Sequence, residues 1–199
     1  MDGRPSPGRR ERKKLDTWRA IRHAALELIT ERGYANVSLD DIADAADVSR
    51  TTLFNYFRSK EAILFDPDPE EHDRWQAFMT ARPDDEAPWV TLEAFFLDYT
   101  GGYETKLRLQ KQLQQDAPAP RPAGQDTSDR LNTFLTGWLR ARLDAQGQNP
   151  EDSAFLLGVA FTAVSTAFAR WDPQQDFEVF HDLLRSNFAR VGRGLRSPF

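Results

Sequence analysis

Residues 38–60 read SLDDIADAADVSRTTLFNYFRSK, and their pattern decides the fold. Ser38 is an N-cap residue, and Asp41 stands three positions on, where its carboxylate can reach back to the cap N–H. Leu39, Ile42, Ala43 and Ala46 give the helix that follows one apolar face. The pattern breaks at Asp47-Val48. Asp tolerates the left-handed conformation such a turn needs, though less well than Gly. Ser49 caps a second helix, and Val48 and Leu53 are spaced to clasp its start as a hydrophobic staple. Leu53 and Phe57 face inward. Ser59 then caps a third helix with Lys60 in its first turn, a phosphate-holding arrangement.

Two short capped helices around a tight turn predict a helix-turn-helix. The second helix offers Arg50, Thr51, Thr52, Asn55 and Tyr56 to its open face and edges. Such side chains suit a helix lying in a major groove, where Arg reads guanine, Asn reads adenine and Thr offers both a methyl and a hydroxyl. A three-helix bundle without DNA would also have short capped helices, so the spacing alone leaves both readings open.

The region resembles the DNA-binding head of the TetR family of bacterial transcriptional regulators. The likeness runs from Ala24-Ala25-Leu26-Glu27-Leu28 through Glu31-Arg32-Gly33-Tyr34 and Val37-Ser38-Leu39-Asp40-Asp41-Ile42-Ala43. It continues through Val48-Ser49-Arg50, Thr52-Leu53-Phe54 and Tyr56-Phe57 to Ser59-Lys60-Glu61. The resemblance implies DNA contacts from Ser38, Ser49, Arg50, Thr51, Thr52, Asn55, Tyr56 and Lys60, with Ser38 and Lys60 on phosphates. Three positions depart from the family pattern: Asp47 where Gly is usual, Thr51 where Gly is common, and Phe54 where Tyr is common. Asp47 strains the turn slightly, and Thr51 alters the surface offered to DNA.

The charge is unevenly spread. Residues 1–60 hold 12 Lys+Arg against 9 Asp+Glu, and residues 61–199 hold 14 against 22, so a net of +3 and one of −8 make up the total of −5. A mildly basic head on an acidic body suits a DNA binder whose body stays off the duplex. The chain has no Cys, which excludes disulfides, thiol chemistry and cysteine zinc sites. The N-terminal stretch has no apolar segment of a secretory signal. No run is read as approaching the ~18 apolar residues of a membrane span. The expectation is a cytoplasmic protein with no membrane partner.

The chain is expected to be all-α, in three parts. Residues 1–14 are read as a disordered basic arm, residues 15–60 as the helix-turn-helix head, and residues 61–199 as a helical bundle for ligand binding and dimerisation. The first helix spans 15–32 and ends before Gly33. Asp66-Pro67-Asp68-Pro69 is expected to break the fourth helix, with a second piece over 70–81 packing Trp75, Phe78 and Met79. Helices are expected over 88–104, 105–115, 126–146, 151–171 and 173–191, with a Pro-rich loop over 117–124. Residues 151–171 are apolar on nearly every side, so they must be covered on nearly every side. With residues 173–191 they are expected to form a four-helix interface in a homodimer, through Phe155, Val159, Phe177, Phe180, Leu184 and Phe188.

Aromatic residues between bundle helices give a default small-molecule site, here assigned to Trp89, Phe96, Tyr99, Trp138, Phe161 and Phe168. The resemblance implies an effector that releases DNA. The body, with LEAFFLDY and the segment ending Phe168-Ala169-Arg170-Trp171, is similar to the subgroup with an acyl-CoA-type ligand domain, which includes the mycofactocin-linked regulators. That would place an apolar or acyl ligand inside, with Lys106, Arg108, Lys111 or Arg121 meeting phosphates. The acidity of the body would instead suit a cationic amphiphile. No cofactor is implied. The chain is not read as an enzyme: His23, His72 and His181 are isolated, and neither a Gly-rich phosphate loop nor an HExxH motif is present. A TetR-shaped ligand carrier without specific DNA binding is the first alternative, and an enzyme ranks behind it. The function expected first is an operator-binding repressor relieved by a small molecule.

Overall fold

The computed structural model describes residues 8–116 and 125–194. The described residues form ten α-helices and no strand. They fall into two compact units, one ending at Pro69 and one starting at Glu70.

The first unit holds α1 (Arg9–Arg32), a 3₁₀ turn (Tyr34–Asn36), α2 (Leu39–Ala45), α3 (Arg50–Tyr56) and α4 (Lys60–Phe65). Helix α1 starts at Arg9, which corrects the reading of residues 9–14 as disordered; residues 1–7 lie outside the described residues. The Gly8 N–H donates to Glu11 Oε2 at 3.1 Å, and the Arg, Lys and Glu that follow are good helix formers. Trp18, Ile21, Ala25 and Ile29 of α1 are buried, as are Ile42, Leu53, Phe57 and Ile63. The Trp18 and Phe57 rings lie 5.6 Å apart.

Helices α2 and α3 have seven residues each, too short to persist alone. Ser38 and Ser49 cap them as their sequence predicts. Between them, Asp47 takes φ 52°, and it is the one non-glycine residue with positive φ among the described residues. The Val48 N–H closes the end of α2 on Ala43 O at 3.0 Å.

Helix α4 belongs with this unit, so the division falls at 69/70 and not at 60/61. Its Ile63, Leu64 and Phe65 are buried. Arg22 of α1 stacks 4.2 Å from the Trp18 ring and donates through Nε to Ile63 O at 2.7 Å and through Nη2 to Asp66 O. A guanidinium on the last carbonyls of a helix satisfies groups that have no intrahelical donor.

The second unit holds α5 (Glu71–Thr80), α6 (Pro88–Gly101), α7 (Glu104–Asp116), α8 (Gln125–Ala145), α9 (Ser153–Arg170) and α10 (Phe177–Gly192). The helix expected to run on from Ser59 stops at Phe65 and resumes at Glu71, with Pro67 and Pro69 between. Trp75 and Met79 are buried and Phe78 half-buried. The segment 117–124, with Arg121, lies outside the described residues.

Helix α10 packs along α9, with α6 and α8 against α9. Phe177, Phe180, Leu184 and Phe188 are buried inside this unit. That corrects their assignment to a dimer interface: the apolar stripe of α10 is spent on the core of its own chain, where Phe188 lies 4.8 Å from Trp89 and Phe180 5.7 Å from Trp171. Helix α10 also starts later than expected. Asp172 folds Pro173 into a turn, accepting the Gln174 N–H at 2.9 Å and the Gln175 N–H at 3.0 Å. Asp176 then caps the helix by accepting the Glu178 N–H at 2.8 Å.

Two cations expected to meet ligand phosphates are used elsewhere. Lys111 donates to Phe168 O at 2.8 Å and Ala169 O at 2.9 Å, at the C-terminal end of α9. Arg108 donates to Gln175 O at 2.8 Å and to Pro173 O at the turn that follows.

Helix α9 with its leading turn, Pro150–Arg170, is long and apolar enough by composition to cross a membrane, which corrects the reading that no run approaches this. Interspersed Gly, Ala, Ser and Thr break the run of large apolar residues without making the segment polar. Only 28% of it is buried within the chain. Phe155 is 73% exposed and Val159 half-buried.

Two stability predictions follow from these contacts. Asp47→Gly relieves the left-handed strain and raises the unfolding free energy by up to about 1 kcal/mol in urea titrations, less the extra backbone entropy of the unfolded glycine. His181 on α10 faces Thr100 Oγ1 at 3.2 Å, and burial, the largest influence, lowers its pKa from the usual 6.5. The folded state therefore binds fewer protons than the unfolded one. Stability is full above about pH 6.5 and is lost as pH falls from there through the folded pKa. His181→Gln should flatten this acid limb of the melting temperature.

Candidate nucleic-acid interface and helical-unit cavity

The first unit presents α3 as an open face. Arg50, Thr51, Phe54 and Asn55 are exposed at the spacing of one helix side, while Leu53 and Phe57 are buried on the other. Thr52 and Tyr56 are half-buried at the edges. The cap Ser49 accepts the Thr52 N–H at 3.1 Å, and the two hydroxyls lie 2.8 Å apart. Arg50 Nη1 pairs with Asp40 Oδ2 of α2 at 2.8 Å, both side chains being more than half exposed. An exposed pair of this kind contributes about 1 kcal/mol or less, so it orients the guanidinium without trapping it.

Ser38 lies at the start of α2, with its hydroxyl 2.5 Å from Asp41 Oδ2 and its N–H 2.8 Å from the same oxygen. These hydrogen bonds hold the Asp41 carboxyl below its usual range. Lys60 is half-buried: its Nζ donates to Tyr34 O at 2.5 Å and Val37 O at 2.8 Å, and lies 3.9 Å from the Tyr34 ring centre. Two of its three protons are thus committed to the backbone before α2. The Tyr34 hydroxyl donates to Glu61, and burial first, then Glu61, pushes that phenol up.

In the second unit the six residues assigned to a ligand do not share one site. Trp89 donates through Nε1 to Phe188 O at 3.1 Å and packs on α10. Phe96 is buried against Phe161 at 5.4 Å. Phe168 lies against Trp171 at 6.3 Å and Phe180 at 6.4 Å. These four fill the core. Trp138 lines an open groove of about 600 Å³ between α5 and α8, with His72, Gln76, Met79, Phe134 and Arg142. Arg142 donates to Asp84 Oδ1 at 3.1 Å and Pro83 O at 2.6 Å and sits 5.5 Å from the Trp138 ring centre.

Tyr99 belongs to a separate polar cluster. Glu71, in the first turn of α5, is 2% exposed. Its Oε1 accepts the Tyr103 hydroxyl at 2.7 Å, and Arg74 Nη2 donates to the same phenol at 3.2 Å. Tyr99 stacks on Phe95 at 5.9 Å and lies 5.0 Å from Tyr103. Burial, and then the Glu71 charge, push both phenols up, so they stay protonated. Sequence reading missed Glu71 and Arg142. Each stands in a polar run that looks solvated until the fold turns it inward.

Fold and site define a helix-turn-helix protein with a C-terminal helical unit. The family model for bacterial regulatory proteins of the tetR family matches residues 21–66. The regulator RutR of Escherichia coli O157:H7 is 31% identical over 143 residues, 67% of this chain and 67% of RutR. The chain belongs to the TetR family.

A Mycobacterium tuberculosis regulator named for mycofactocin biosynthesis, MftR, is 44% identical over 59 residues, and the HTH-type transcriptional regulator TcmR of Streptomyces glaucescens is 32% identical over 90. These matches span only 30% and 40% of the two relatives' own lengths. Among solved structures, FadR from Bacillus halodurans, described as a fatty acid degradation regulator, is 21% identical with a TM-score of 0.59, covering 92% of this chain and 97% of that one. FadR from Thermus thermophilus, solved with lauroyl-CoA, has a TM-score of 0.53 and the same identity, covering 92% and 96%. At this identity the likeness shows the fold.

Removing the cap of α3 with Ser49→Ala should cost about 1 kcal/mol of unfolding free energy, measured by chemical denaturation. The open face of α3 makes no comparable contribution, so Asn55→Ala should change stability by less than about 0.5 kcal/mol.

Proposed function

We propose that the chain is a sequence-specific DNA-binding transcriptional regulator, acting in the cytoplasm as a homodimer and most simply as a repressor that a small molecule releases. The observation that carries this is the open face of α3: Arg50, Thr51, Phe54 and Asn55 stand together on a capped, buttressed helix, in a chain of the TetR family. Their chemistry suits base edges. Arg50 reads guanine, Asn55 adenine, and Thr51 and Phe54 offer apolar contact to a thymine methyl. Ser38, Ser49, Thr52 and Tyr56 lie where they position the backbone, and Lys60 keeps one proton for a phosphate.

The homodimer reading now rests on α9 alone, on a different surface from the stripe of α10. Phe155, Gly158, Thr162 and Thr166 recur at helical spacing and are exposed, uncharged and mostly small, with Val159 at the margin. A second copy would cover such a face; a dimeric reader of one operator needs its two recognition helices roughly 34–36 Å apart to meet successive turns of the groove.

The second unit is proposed to bind the effector. The neighbours of similar fold include one solved with an acyl-CoA, and the aromatic interior suits an apolar or acyl body. Lys111 would have to leave the end of α9, and Arg108 the turn that follows it, to meet any phosphate, so the geometry does not favour a phosphate-bearing effector.

Fluorescence anisotropy with DNA from upstream of its own gene, across a salt series, tests the function. Binding should resist competitor DNA and weaken steeply with salt, by a slope of about −0.9 per phosphate neutralised. Arg50→Ala should cost about 1–3 kcal/mol and relax the preference at one base pair. Phe155→Glu should give a monomer in sedimentation and weaken operator binding, with α3 intact. Weak, sequence-blind binding by the wild type in a genome-wide selection would leave the ligand-carrier reading in its place.

A further inference from the structure

A carboxylate 98% removed from solvent normally has every oxygen hydrogen-bonded, because burying an unpaired charge costs several kcal/mol. Glu71, 2% exposed, breaks that rule. Its Oε1 takes the Tyr103 hydroxyl, the Tyr99 phenol also bears on the carboxylate, and its Oε2 has no hydrogen bond of normal geometry. One helical turn on, Trp75 is 4% exposed and its Nε1–H has no partner either. Residues four apart on α5 share one side, so an unmatched acceptor and an unmatched donor lie on the same face of the helix. Aromatic rings surround them: Trp75 lies 6.3 Å from Tyr99 and 5.6 Å from Phe134, and Tyr99 lies 5.0 Å from Tyr103. Phe134, which packs on Trp75, also lines the open groove between α5 and α8, although Glu71 and Trp75 themselves do not.

We propose that Glu71 and Trp75 receive the protonated amine head of an amphiphilic effector, its apolar body lying along Met79, Phe134 and Trp138 in the groove. This rests on the effector-binding reading above and names the class of ligand within it. An ammonium donates N–H to Glu71 Oε2 and is attracted to the faces of Trp75, Tyr99 and Tyr103. An oxygen on the same molecule one or two bonds away, as in an amino alcohol, meets the Trp75 Nε1–H. The nearby cations do not do this work. Arg74 donates to the Tyr103 hydroxyl, and Lys106 Nζ sits 5.2 Å from the Tyr103 ring centre. Both engage Tyr103, and Oε2 stays without a hydrogen bond of normal geometry. A carboxylate or phosphate head at this point would face Glu71 with like charge and is disfavoured.

The test is a titration of the full chain with four probes of one chain length, dodecylammonium, dodecan-1-ol, dodecanoate and lauroyl-CoA, below their micellar concentrations, read by tryptophan fluorescence. Dodecylammonium should bind at least tenfold more tightly than the alcohol, and the two anions more weakly than either. Glu71→Gln, verified as folded by circular dichroism, should bring the ammonium to the affinity of the alcohol and leave the alcohol unchanged. The wild-type order alone decides the matter if the variant does not fold. Tighter binding of dodecanoate or lauroyl-CoA, or equal binding of all four, overturns the proposal. Operator binding is followed separately by anisotropy. Ammonium binding that leaves DNA affinity unchanged supports the site and removes its role as the switch, whereas loss of operator binding without any probe is a failure of the regulator reading alone.

Discussion

Two seven-residue helices cannot hold themselves, and the first unit is built around that constraint. An isolated segment of this length spends more on ordering its backbone than its few hydrogen bonds return. Helices α2 and α3 persist because their ends are closed and their inner faces are buried. Ser38 and Ser49 satisfy N–H groups that would otherwise be orphaned, and the turn at Asp47 lets Val48 close on Ala43 O. Ile42, Leu53 and Phe57 then lose their water against α1, whose Trp18 is itself pressed between Phe57 and Arg22. The open face of α3 is the part left over once these needs are met. Its side chains are therefore not fixed by the needs of the fold.

Several cations among the described residues are used on backbone carbonyls. Arg22 closes the end of α4, Lys60 holds the segment before α2, Lys111 closes α9 and Arg108 holds the turn that follows it. Each sits where a chain end or turn leaves acceptors without intrahelical donors. A long cationic side chain suits this task because its stem covers apolar surface while its head reaches the carbonyls. Lys60, Arg108 and Lys111 read as ligand or phosphate contacts from sequence because charge is visible there and its local partner is not.

What was legible in the sequence follows the same line. Caps, helix spacing and the proline break between α4 and α5 depend on neighbours a few residues away, so Ser38, Ser49, Asp47, Pro67 and Pro69 could be read directly. The start of α1 was misplaced because Arg9 to Lys14 look like a solvated basic tail although they are good helix formers. The stripe Phe177, Phe180, Leu184 and Phe188 shows that α10 buries one face, but periodicity is silent on whether a helix of the same chain or of another covers it. The aromatic residues assigned to a ligand show the same silence: Trp89, Phe96, Phe161 and Phe168 pack in or on the core of the second unit, whereas the buried Glu71 and the partly buried Arg142 carry no mark of burial in their own neighbourhood.

The exposed side of α9 has a further consequence. A helix with 28% of its residues buried and Phe155 standing in water leaves apolar surface that the proposed second copy would remove. Whatever free energy that contact supplies enters by mass action, so it grows with the logarithm of the amount of chain present. In the proposed homodimer, newly made protein at low abundance would be both less durable and unable to span two half-sites, and both defects would disappear as its concentration rises. Cellular dosage would thus set the durability and the reach of this chain together.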